Sequence, residues 1–333
     1  MLRMGIIGYG YWGPNIARNF SSTEGVRIAA VSDRNPDALK RAQKAFPGID
    51  LLPDHRIVTT SPDIDAVAVV TPVSQHFQLA REALRNGKHI FVEKPFTATV
   101  AEAEELIELA ARRHLTIMVD HTFLFTGAVR KMKELIDQGE LGALCYYDSM
   151  RVNLGLFQHD VNVIWDLAPH DLAIMDHLIP VQPEGILAAG GNHYTPHEYV
   201  AYLTIYYSGN IIGHLNVNWL SPVKVRTTLV GGEKKMLVWN DLDPDMKIKV
   251  YDKGVEIRNR EGVYNLLVSY RSGDMWAPKL DQTEALKLEA EYFVDCVTTG
   301  KTPFNDGQAG MRIVRMLESA HKSLRHRGEL VYL

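Results

Sequence analysis

The feature that most constrains this chain is a glycine-rich segment near its start, Gly8-Tyr9-Gly10-Tyr11-Trp12-Gly13. An apolar run, Met4–Ile7, precedes it, and apolar residues in segment 14–20 recur at helical spacing. A second apolar run, Val26–Val31, leads to Asp33, about 20 residues beyond the last glycine. This order of strand, glycine turn, helix, strand and acid predicts a dinucleotide-binding unit rather than a turn that binds nothing.

Each part of the segment has a physical use in that unit. Gly8 permits a tight turn, Gly10 lets the backbone approach a pyrophosphate, and Gly13 permits close packing of helix on strand. The helix start offers N–H groups and a partial positive charge to the phosphates. Tyr11 and Trp12 occupy the variable positions, and we expect both to lie beside the cofactor.

The residue after the second strand indicates which cofactor is bound. Asp33 would accept hydrogen bonds from the adenosine ribose hydroxyls and repel a 2′-phosphate, so NAD should bind better than NADP. Arg34 would instead favour NADP, because a guanidinium beside the ribose could pair with the 2′-phosphate.

Composition limits the function classes. A chain of 333 residues predicts two domains. The net charge of −4, without a long basic run, predicts no nucleic-acid partner, and the apolar runs are too short to span a membrane. Cys145 and Cys296 lack metal or disulfide spacing, and the first strand leaves no room for a signal peptide, so we expect a cytoplasmic protein. We expect no metal, because Pro196 interrupts any helix that would align His193 with His197.

The pattern of elements changes along the chain. The first third alternates buried strands with helices, which predicts an α/β Rossmann domain with a doubly wound parallel sheet over residues 1–121. Residues 122–333 contain strands that alternate apolar and polar side chains, which predicts an α+β substrate domain with an open, largely antiparallel sheet. Because the two C-terminal helices cannot cover both sheet faces, we expect a homodimer or homotetramer.

Two places carry residues suited to catalysis. Lys94 follows a strand of the first domain at the edge where such folds bind ligands, where it could stabilise an alkoxide, although a solvated turn lysine has the same appearance. Asp166 and His170 are four residues apart, so on a helix the carboxylate could orient the imidazole as a general base. Alternatively, Asp166 caps a helix that starts at Leu167 or Ala168, because Pro169 is best tolerated in a first turn, and His170 is a buried structural histidine.

Several motifs together resemble the glucose–fructose oxidoreductase/inositol dehydrogenase/MocA (Gfo/Idh/MocA) family. These are, in chain order, the glycine segment to Asn15, Asp33, Thr71-Pro72 with His76, Glu93-Lys94-Pro95, and Asp166-x-x-x-His170. The resemblance implies NAD(P)-dependent oxidation of a secondary hydroxyl of a sugar or cyclitol, with Lys94, Asp166 and His170 as catalytic residues. It places Thr71, Pro72, His76 and Glu93 near the cofactor. His76 is an equally good helix-start residue.

The substrate prediction depends on the segment that follows the last Rossmann strand. The residues there, His121-Thr122-Phe123-Leu124-Phe125, are similar to those of family members that modify nucleotide sugars, whereas many members carry an Asn-Arg segment. We therefore expect a nucleotide-linked hexose oxidised at C3, with polar contacts from His121, Arg151, Asn153 and Asn162. The alternatives are a free-sugar or cyclitol dehydrogenase and a non-catalytic NAD(P)-binding sensor or scaffold.

Overall fold

The computed structural model describes residues 1–155, 161–192, 196–257 and 268–333. The chain divides into two compact units. Unit 1 contains Met1–Phe125 and Thr283–Arg315, and unit 2 contains Thr126–Gln282 and Met316–Leu333. The domain boundary near residue 121 stays a prediction, since packing into compact units is a different property from independent folding.

The helices of the described residues are α1 (Gly13–Ser22), α2 (Pro36–Ala45), α3 (His55–Thr60), α4 (Val73–Arg85), α5 (Val100–Arg113), α6 (Gly127–Asp137), α7 (Val163–Leu178), α8 (Ala285–Thr299) and α9 (Gly307–Arg325). Short 3-10 turns cover Thr122–Phe125 and Ser208–Asn210. Across the described ranges, we find no helix with both the length and the apolar character needed to cross a bilayer.

The strands of unit 1 are β1 (Leu2–Ile7), β2 (Val26–Ser32), β3 (Asp50–Leu52), β4 (Ala66–Val69), β5 (His89–Glu93) and β6 (Ile117–Asp120). They form one parallel sheet in the order β3-β2-β1-β4-β5-β6. The central strands are apolar because helices cover both faces; every residue of β4 is buried. Strands β2 and β3 are added on one side of β1, and β4, β5 and β6 on the other. The glycine turn after β1 therefore lies at the topological switch point, where such sheets bind ligands.

Aromatic packing joins α8 to this sheet. The rings of Phe20, Phe91 and Phe293 pack edge to face, with centroids 5.3–5.8 Å apart. All three side chains are fully buried. Such pairs contribute about 0.5–1.5 kcal/mol each beyond the area that they bury. The late helix α8 is therefore part of the Rossmann core, although it follows the second sheet in sequence.

The strands of unit 2 are β7 (Leu144–Leu154), β8 (Pro183–Gly191), β9 (Val200–Tyr207), β10 (Ile212–Asn218), β11 (Leu220–Gly232), β12 (Met236–Asn240), β13 (Ile248–Ile257), β14 (Val268–Trp276) and β15 (Val331–Tyr332). Their order is β14-β13-β12-β11-β7-β10-β9-β8-β15, and only the β7–β10 pair is parallel. The predicted fold class, a Rossmann sheet followed by an open, largely antiparallel sheet, is confirmed.

The alternation of side chains in unit 2 separates two chemically different faces. On β9, Ala201, Leu203 and Ile205 are fully buried, and α7 packs against this strand and its neighbours. The intervening residues Tyr202 and Tyr206 are exposed. The alternation of buried and exposed side chains along β9 therefore shows which face of the sheet α7 covers.

Candidate active site

The glycine turn connects β1 to α1, and two of its glycines are required by the chain itself. Gly8 has φ +98°, and a Cβ there would lie 2.1 Å from the carbonyl oxygen of Val70. A Cβ on Gly13 would lie 2.5 Å from the Gly8 carbonyl oxygen. A Cβ on Gly10 would meet no described atom within 4 Å. Packing therefore explains Gly8 and Gly13, and leaves open space at Gly10 for a ligand.

The start of α1 is suited to bind an anion. Its N-cap residue, Trp12, forms no side-chain capping bond, and its first turn carries no acidic residue. The Trp12 indole Nε1 instead donates to Asp120 Oδ2 at 3.1 Å, while the neighbouring Tyr11 side chain is 93% exposed. The partial positive charge of the helix start therefore remains available for a pyrophosphate.

Asp33 lies where an adenosine ribose is expected. Its Oδ2 accepts from the Tyr9 N–H at 2.6 Å and its Oδ1 accepts from the Asn35 N–H at 2.7 Å. Each carboxylate oxygen retains a second lone pair for a ribose hydroxyl. The residues that surround a cavity of ≈ 190 Å³ here include Gly8, Gly10, Asp33, Arg34, Thr71 and Pro72. These residues fit NAD, with Asp33 at the ribose and the glycine turn at the phosphates.

The Lys94 turn follows β5 on the same sheet. Glu93 ends the strand and is half-buried, and its Oε2 accepts the backbone N–H of Lys94 at 2.9 Å. Lys94 is also half-buried, and the bond from Lys94 to Pro95 is cis. The lysine therefore stands at the carboxyl edge of the sheet, as predicted from its place after an apolar strand.

His76 lies in the first turn of α4, as the helix-start interpretation predicted. The ring is fully buried, with Nδ1 2.8 Å from the Pro95 carbonyl oxygen and Nε2 2.7 Å from that of Thr71. Burial lowers the pKa of His76. The side chain thus joins the turns after β4 and β5, and its burial does not support the predicted direct contact with cofactor.

In unit 2 the helix α7 carries both members of the Asp–His pair. It begins at Val163 because Asn162 caps it, with Oδ1 accepting from the Trp165 N–H at 3.2 Å. The predicted helix over about residues 163–179 is confirmed, and the alternative start at Leu167 or Ala168 is wrong, since Pro169 lies inside the helix. Asp166 is accordingly a first-turn residue rather than the cap.

The two members of the pair remain partly accessible. The Oδ2 of Asp166 accepts from the Trp219 indole Nε1 at 3.0 Å, and Asp166 and His170 are both half-buried. Residues four apart on a helix share a face, so the carboxylate and the imidazole project from the same side of α7. Because Lys94 belongs to unit 1 and this pair to unit 2, the joint catalytic role of the three residues stays a prediction.

Two predicted substrate contacts have structural partners instead. Arg151 is 5% exposed, and its Nε and Nη2 bind the Asp171 carboxylate at 2.5 and 3.2 Å. Ser149 donates to the same carboxylate at 2.8 Å. Asn162, besides capping α7, donates to Glu198 Oε2 at 2.8 Å and is 3% exposed. Because these polar atoms hold α7 in place, the structure does not support direct substrate contacts from Arg151 or Asn162.

The other two predicted contacts are placed differently. Asn153 is half-buried on β7, whereas His121 is 3% exposed directly after β6. Their contacts with substrate stay predictions. His193 lies outside the described residues, as do Tyr194 and Thr195. Among the residues that the structure does describe, there is no group of three or more His, Cys, Asp or Glu suited to a metal ion, and the absence of a metal stays a prediction.

Sequence reasoning missed two buried acids that accompany this site. Asp120 ends β6 at 3% exposure, and Glu289 on α8 is fully buried. Glu289 shares the buried side of its helix with Leu286, Ala290 and Phe293. A charged residue within an apolar helical stripe was the available indication, because an acid is almost never fully buried without a partner.

Comparison with known proteins identifies the family. Residues 2–121 match the model of the Gfo/Idh/MocA oxidoreductase family with an NAD-binding Rossmann fold, and residues 129–238 match the model of the Gfo/Idh/MocA C-terminal domain. The chain belongs to the Gfo/Idh/MocA family. The predicted family, the NAD cofactor and the oxidoreductase class are thereby confirmed.

Similar members of the Gfo/Idh/MocA family act on different substrates. The chain is 27% identical to UDP-N-acetylglucosamine 3-dehydrogenase from Acidithiobacillus ferrooxidans over 94% of each protein. It is 25% identical to scyllo-inositol 2-dehydrogenase (NAD(+)) from Bacillus subtilis over 91% of this chain and 88% of that enzyme.

Solved structures share the whole fold. The Acidithiobacillus enzyme aligns with a TM-score of 0.82 at 24% identity, covering 98% of both chains. The scyllo-inositol dehydrogenase from Lactobacillus casei, solved with NAD(H) and scyllo-inositol, aligns with a TM-score of 0.80 at 19% identity. That alignment covers 100% of this chain and 99% of the other.

Proposed function

We propose that this protein is an NAD-dependent dehydrogenase that oxidises a secondary hydroxyl of a nucleotide-linked hexose, at C3. The observation that carries the proposal is the similarity to a UDP-N-acetylglucosamine 3-dehydrogenase across 94% of both chains. The segment His121–Phe125, placed directly after β6, supports the same substrate class through its resemblance to family members that modify nucleotide sugars.

Each proposed catalytic residue has one task. His170 takes the proton of the reacting hydroxyl as general base, and Asp166 orients the imidazole from the preceding turn of α7. Lys94 stabilises the negative charge that develops on the hydroxyl oxygen. Lys94 and His170 can exchange the proton-transfer role, because amine and imidazole groups both serve as general acids and bases in enzymes.

The chain's own residues define where NAD binds. The glycine turn and the start of α1 hold the pyrophosphate, and Asp33 holds the adenosine ribose. When bound, NAD supplies the acceptor for the hydride that leaves the carbinol carbon. Arg151 and Asn162 contribute indirectly, since they fix the helix that carries Asp166 and His170.

The second candidate is a free-sugar or cyclitol dehydrogenase. Similarity to the scyllo-inositol enzyme over 91% of the chain favours it. A non-catalytic sensor would have no use for Lys94, Asp166 and His170 together, so their joint presence favours an enzyme.

A substrate panel separates these candidates. We expect NADH to form when the enzyme and NAD are mixed with at least one UDP- or dTDP-hexose, and not with free hexoses or inositols. A UDP-hexose that already carries a keto group at C3 is the matched control, because it has no hydrogen to give at that carbon. NADH formation with a free sugar or inositol, and with none of the nucleotide sugars, would replace the proposal with the second candidate.

We also propose that the protein forms a homodimer or homotetramer through the uncovered face of the unit 2 sheet. Met150, Tyr202, Tyr206 and Ile212 lie on that face and are each 40–46% exposed. Registers across β7, β10 and β9 place Met150, Asn216 and Tyr202 in one row. Contiguous apolar side chains on a sheet face are typical of a protein interface. Two free cysteines, Cys145 and Cys296, are compatible with the cytoplasmic location that we propose.

The oligomer proposal predicts a specific disruption. Light scattering at micromolar concentration should give at least twice the chain mass for the wild type and a smaller mass for Ile212→Lys, because a charge at the interface is costly to bury. Ile57→Lys is the control, since Ile57 is 50% exposed on α3 of unit 1. A monomeric wild type, or an unchanged mass for Ile212→Lys, contradicts the proposed interface.

A further inference from the structure

Three carboxyl groups meet at the carboxyl edge of the Rossmann sheet. Glu93 and Asp120 are paired positions on the adjacent parallel strands β5 and β6, and Glu289 of α8 is buried beside Asp120. Asp120 and Glu289 are 3% and 0% exposed. We call these three residues the carboxyl cluster. Three full negative charges cannot share so small a buried volume, so protons must be held there.

The hydrogen bonds indicate which member is ionised. Asp120 accepts from the Trp12 indole at 3.1 Å and from the Thr122 hydroxyl, two donors that favour a carboxylate. Glu289 Oε1 accepts from Asn305 Nδ2 at 3.2 Å, and Asn305 Nδ2 also donates to the Val119 carbonyl oxygen at 2.8 Å.

The other oxygen of Glu289 has a different environment. Glu289 Oε2 is buried, and no donor among the described residues meets it at normal hydrogen-bond geometry. The Glu289 carboxyl does lie close to Asp120 and to the Thr122 hydroxyl: the contact with Asp120 raises the pKa of Glu289, and the weaker contact with Thr122 lowers it. Two carboxyl groups in hydrogen-bond contact need one proton between them, and the group with fewer donors around it is where that proton is expected.

The surrounding charges agree with this assignment. Burial, and next the Asp120 carboxylate, raise the pKa of Glu93 and the pKa of Glu289 well above their usual range. The positive charge of Lys94 opposes the increase in the pKa of Glu93. The same charge also lowers the pKa of His76. The charge of Glu93, when it is ionised, further raises the pKa of Glu289.

We propose that Asp120 is the ionised centre of this cluster, that Glu93 and Glu289 stay protonated, and that Glu289 is a positioning residue. Through Asp120, Glu289 fixes both Trp12 of the glycine turn and the strand end that precedes Lys94. The cluster thereby couples the NAD-binding turn to the Lys94 turn. This inference concerns the NAD-binding unit alone and does not depend on the identity of the substrate.

The proposal predicts an unusual pH dependence of stability. Glu289 ionises near pH 4.5 in the unfolded chain, whereas the folded protein keeps it protonated. Its contribution to the free energy of unfolding is therefore complete below pH 4.5 and is lost as pH rises. Glu289→Gln mimics the neutral acid and has no proton to lose. As pH rises above about 5, the thermal midpoint of Glu289→Gln should therefore increase relative to that of the wild type, by roughly 2–4 °C for each pH unit over which Glu289 stays protonated.

A residue on the same helix provides a control of opposite sign. Hydrogen bonds from Arg18 and Asn19 lower the pKa of Glu284, at the N-cap of α8, to about 2. The stabilisation that ionised Glu284 provides is complete above the pKa of this residue in the unfolded chain, and it is lost as pH falls. The difference in thermal midpoint between Glu284→Gln and the wild type should therefore stay constant over the whole range used for Glu289, which lies above the pKa of unfolded Glu284. A constant difference for Glu289→Gln as well would overturn the protonation assignment.

The positioning role has its own readout. NAD titration should give wild-type affinity for Glu289→Gln, whose amide can donate to Asp120 and accept from Asn305, and about tenfold weaker affinity for Glu289→Leu, which removes both contacts. Wild-type affinity should also weaken at alkaline pH, and that of Glu289→Gln should not. If folded Glu289→Leu binds NAD as the wild type does, the positioning role is wrong. If that variant fails to fold, the alkaline titrations of the wild type and Glu289→Gln decide the matter.

Discussion

Replacing Lys94 or His170 with alanine should lower kcat by at least about 100-fold, the usual cost of losing a positioned acid–base group or charge stabiliser. Lys94 stands half-buried after β5, and His170 projects from α7 one helical turn after Asp166. Neither residue belongs to the glycine turn, so the Kd for NAD should change little. Single-turnover NADH formation with the active substrate, together with NAD titration, measures the two effects separately.

Exposed residues of the same types provide controls. Lys40→Ala and His326→Ala should retain wild-type turnover, since Lys40 pairs with Asp37 on the surface and His326 follows α9 at the surface. Near-normal turnover in Lys94→Ala or His170→Ala would remove that residue from the mechanism. A parallel loss of NAD affinity would instead indicate damage to the cofactor site.

The sequence predicted the parts of this molecule that depend on local chemistry. The glycine turn was recognisable because its glycines, the two flanking apolar strands and Asp33 follow one another along one short stretch of chain. β4 was recognisable because a strand covered on both faces has no polar position. Alternation along β9 identified a strand with one covered face for the same reason. In each case, the pattern that identifies the element lies within one short segment.

The rest depended on contacts between distant residues. Nothing near Arg151 indicates that Asp171 will take its guanidinium, and nothing near Asp120 indicates that Glu289 will be buried beside it. Pro169 suggested the alternative, later start of α7, whereas Asn162 caps the helix seven residues earlier. Arg151 and Asn162 were therefore predicted to contact substrate, whereas the structure shows them bonded to Asp171 and Glu198.

Gly8→Ala should prevent the Rossmann unit from folding normally. The new Cβ would lie 2.1 Å from the Val70 carbonyl oxygen, and the φ of +98° is strained for any residue with a side chain. Val70 directly follows β4, and its backbone cannot move away without breaking its hydrogen bond to the Ile7 carbonyl oxygen. A cost of about 3 kcal/mol or more is therefore expected. Thermal unfolding should show a midpoint lowered by several degrees, or no soluble protein.

Gly10→Ala is the matched substitution with the opposite outcome. Because a Cβ there meets no described atom within 4 Å, stability should stay within about 0.5 kcal/mol of the wild type. The added methyl group would instead occupy the space predicted for the pyrophosphate, so NAD affinity should fall by about tenfold or more. Retention of wild-type NAD affinity in a folded Gly10→Ala protein would show that the cofactor backbone does not approach Gly10, and the assignment of the pyrophosphate to this turn would fail. Equal destabilisation by both substitutions would contradict this distinction. It would show that Gly10, like Gly8, is required for packing rather than for the approach of a ligand.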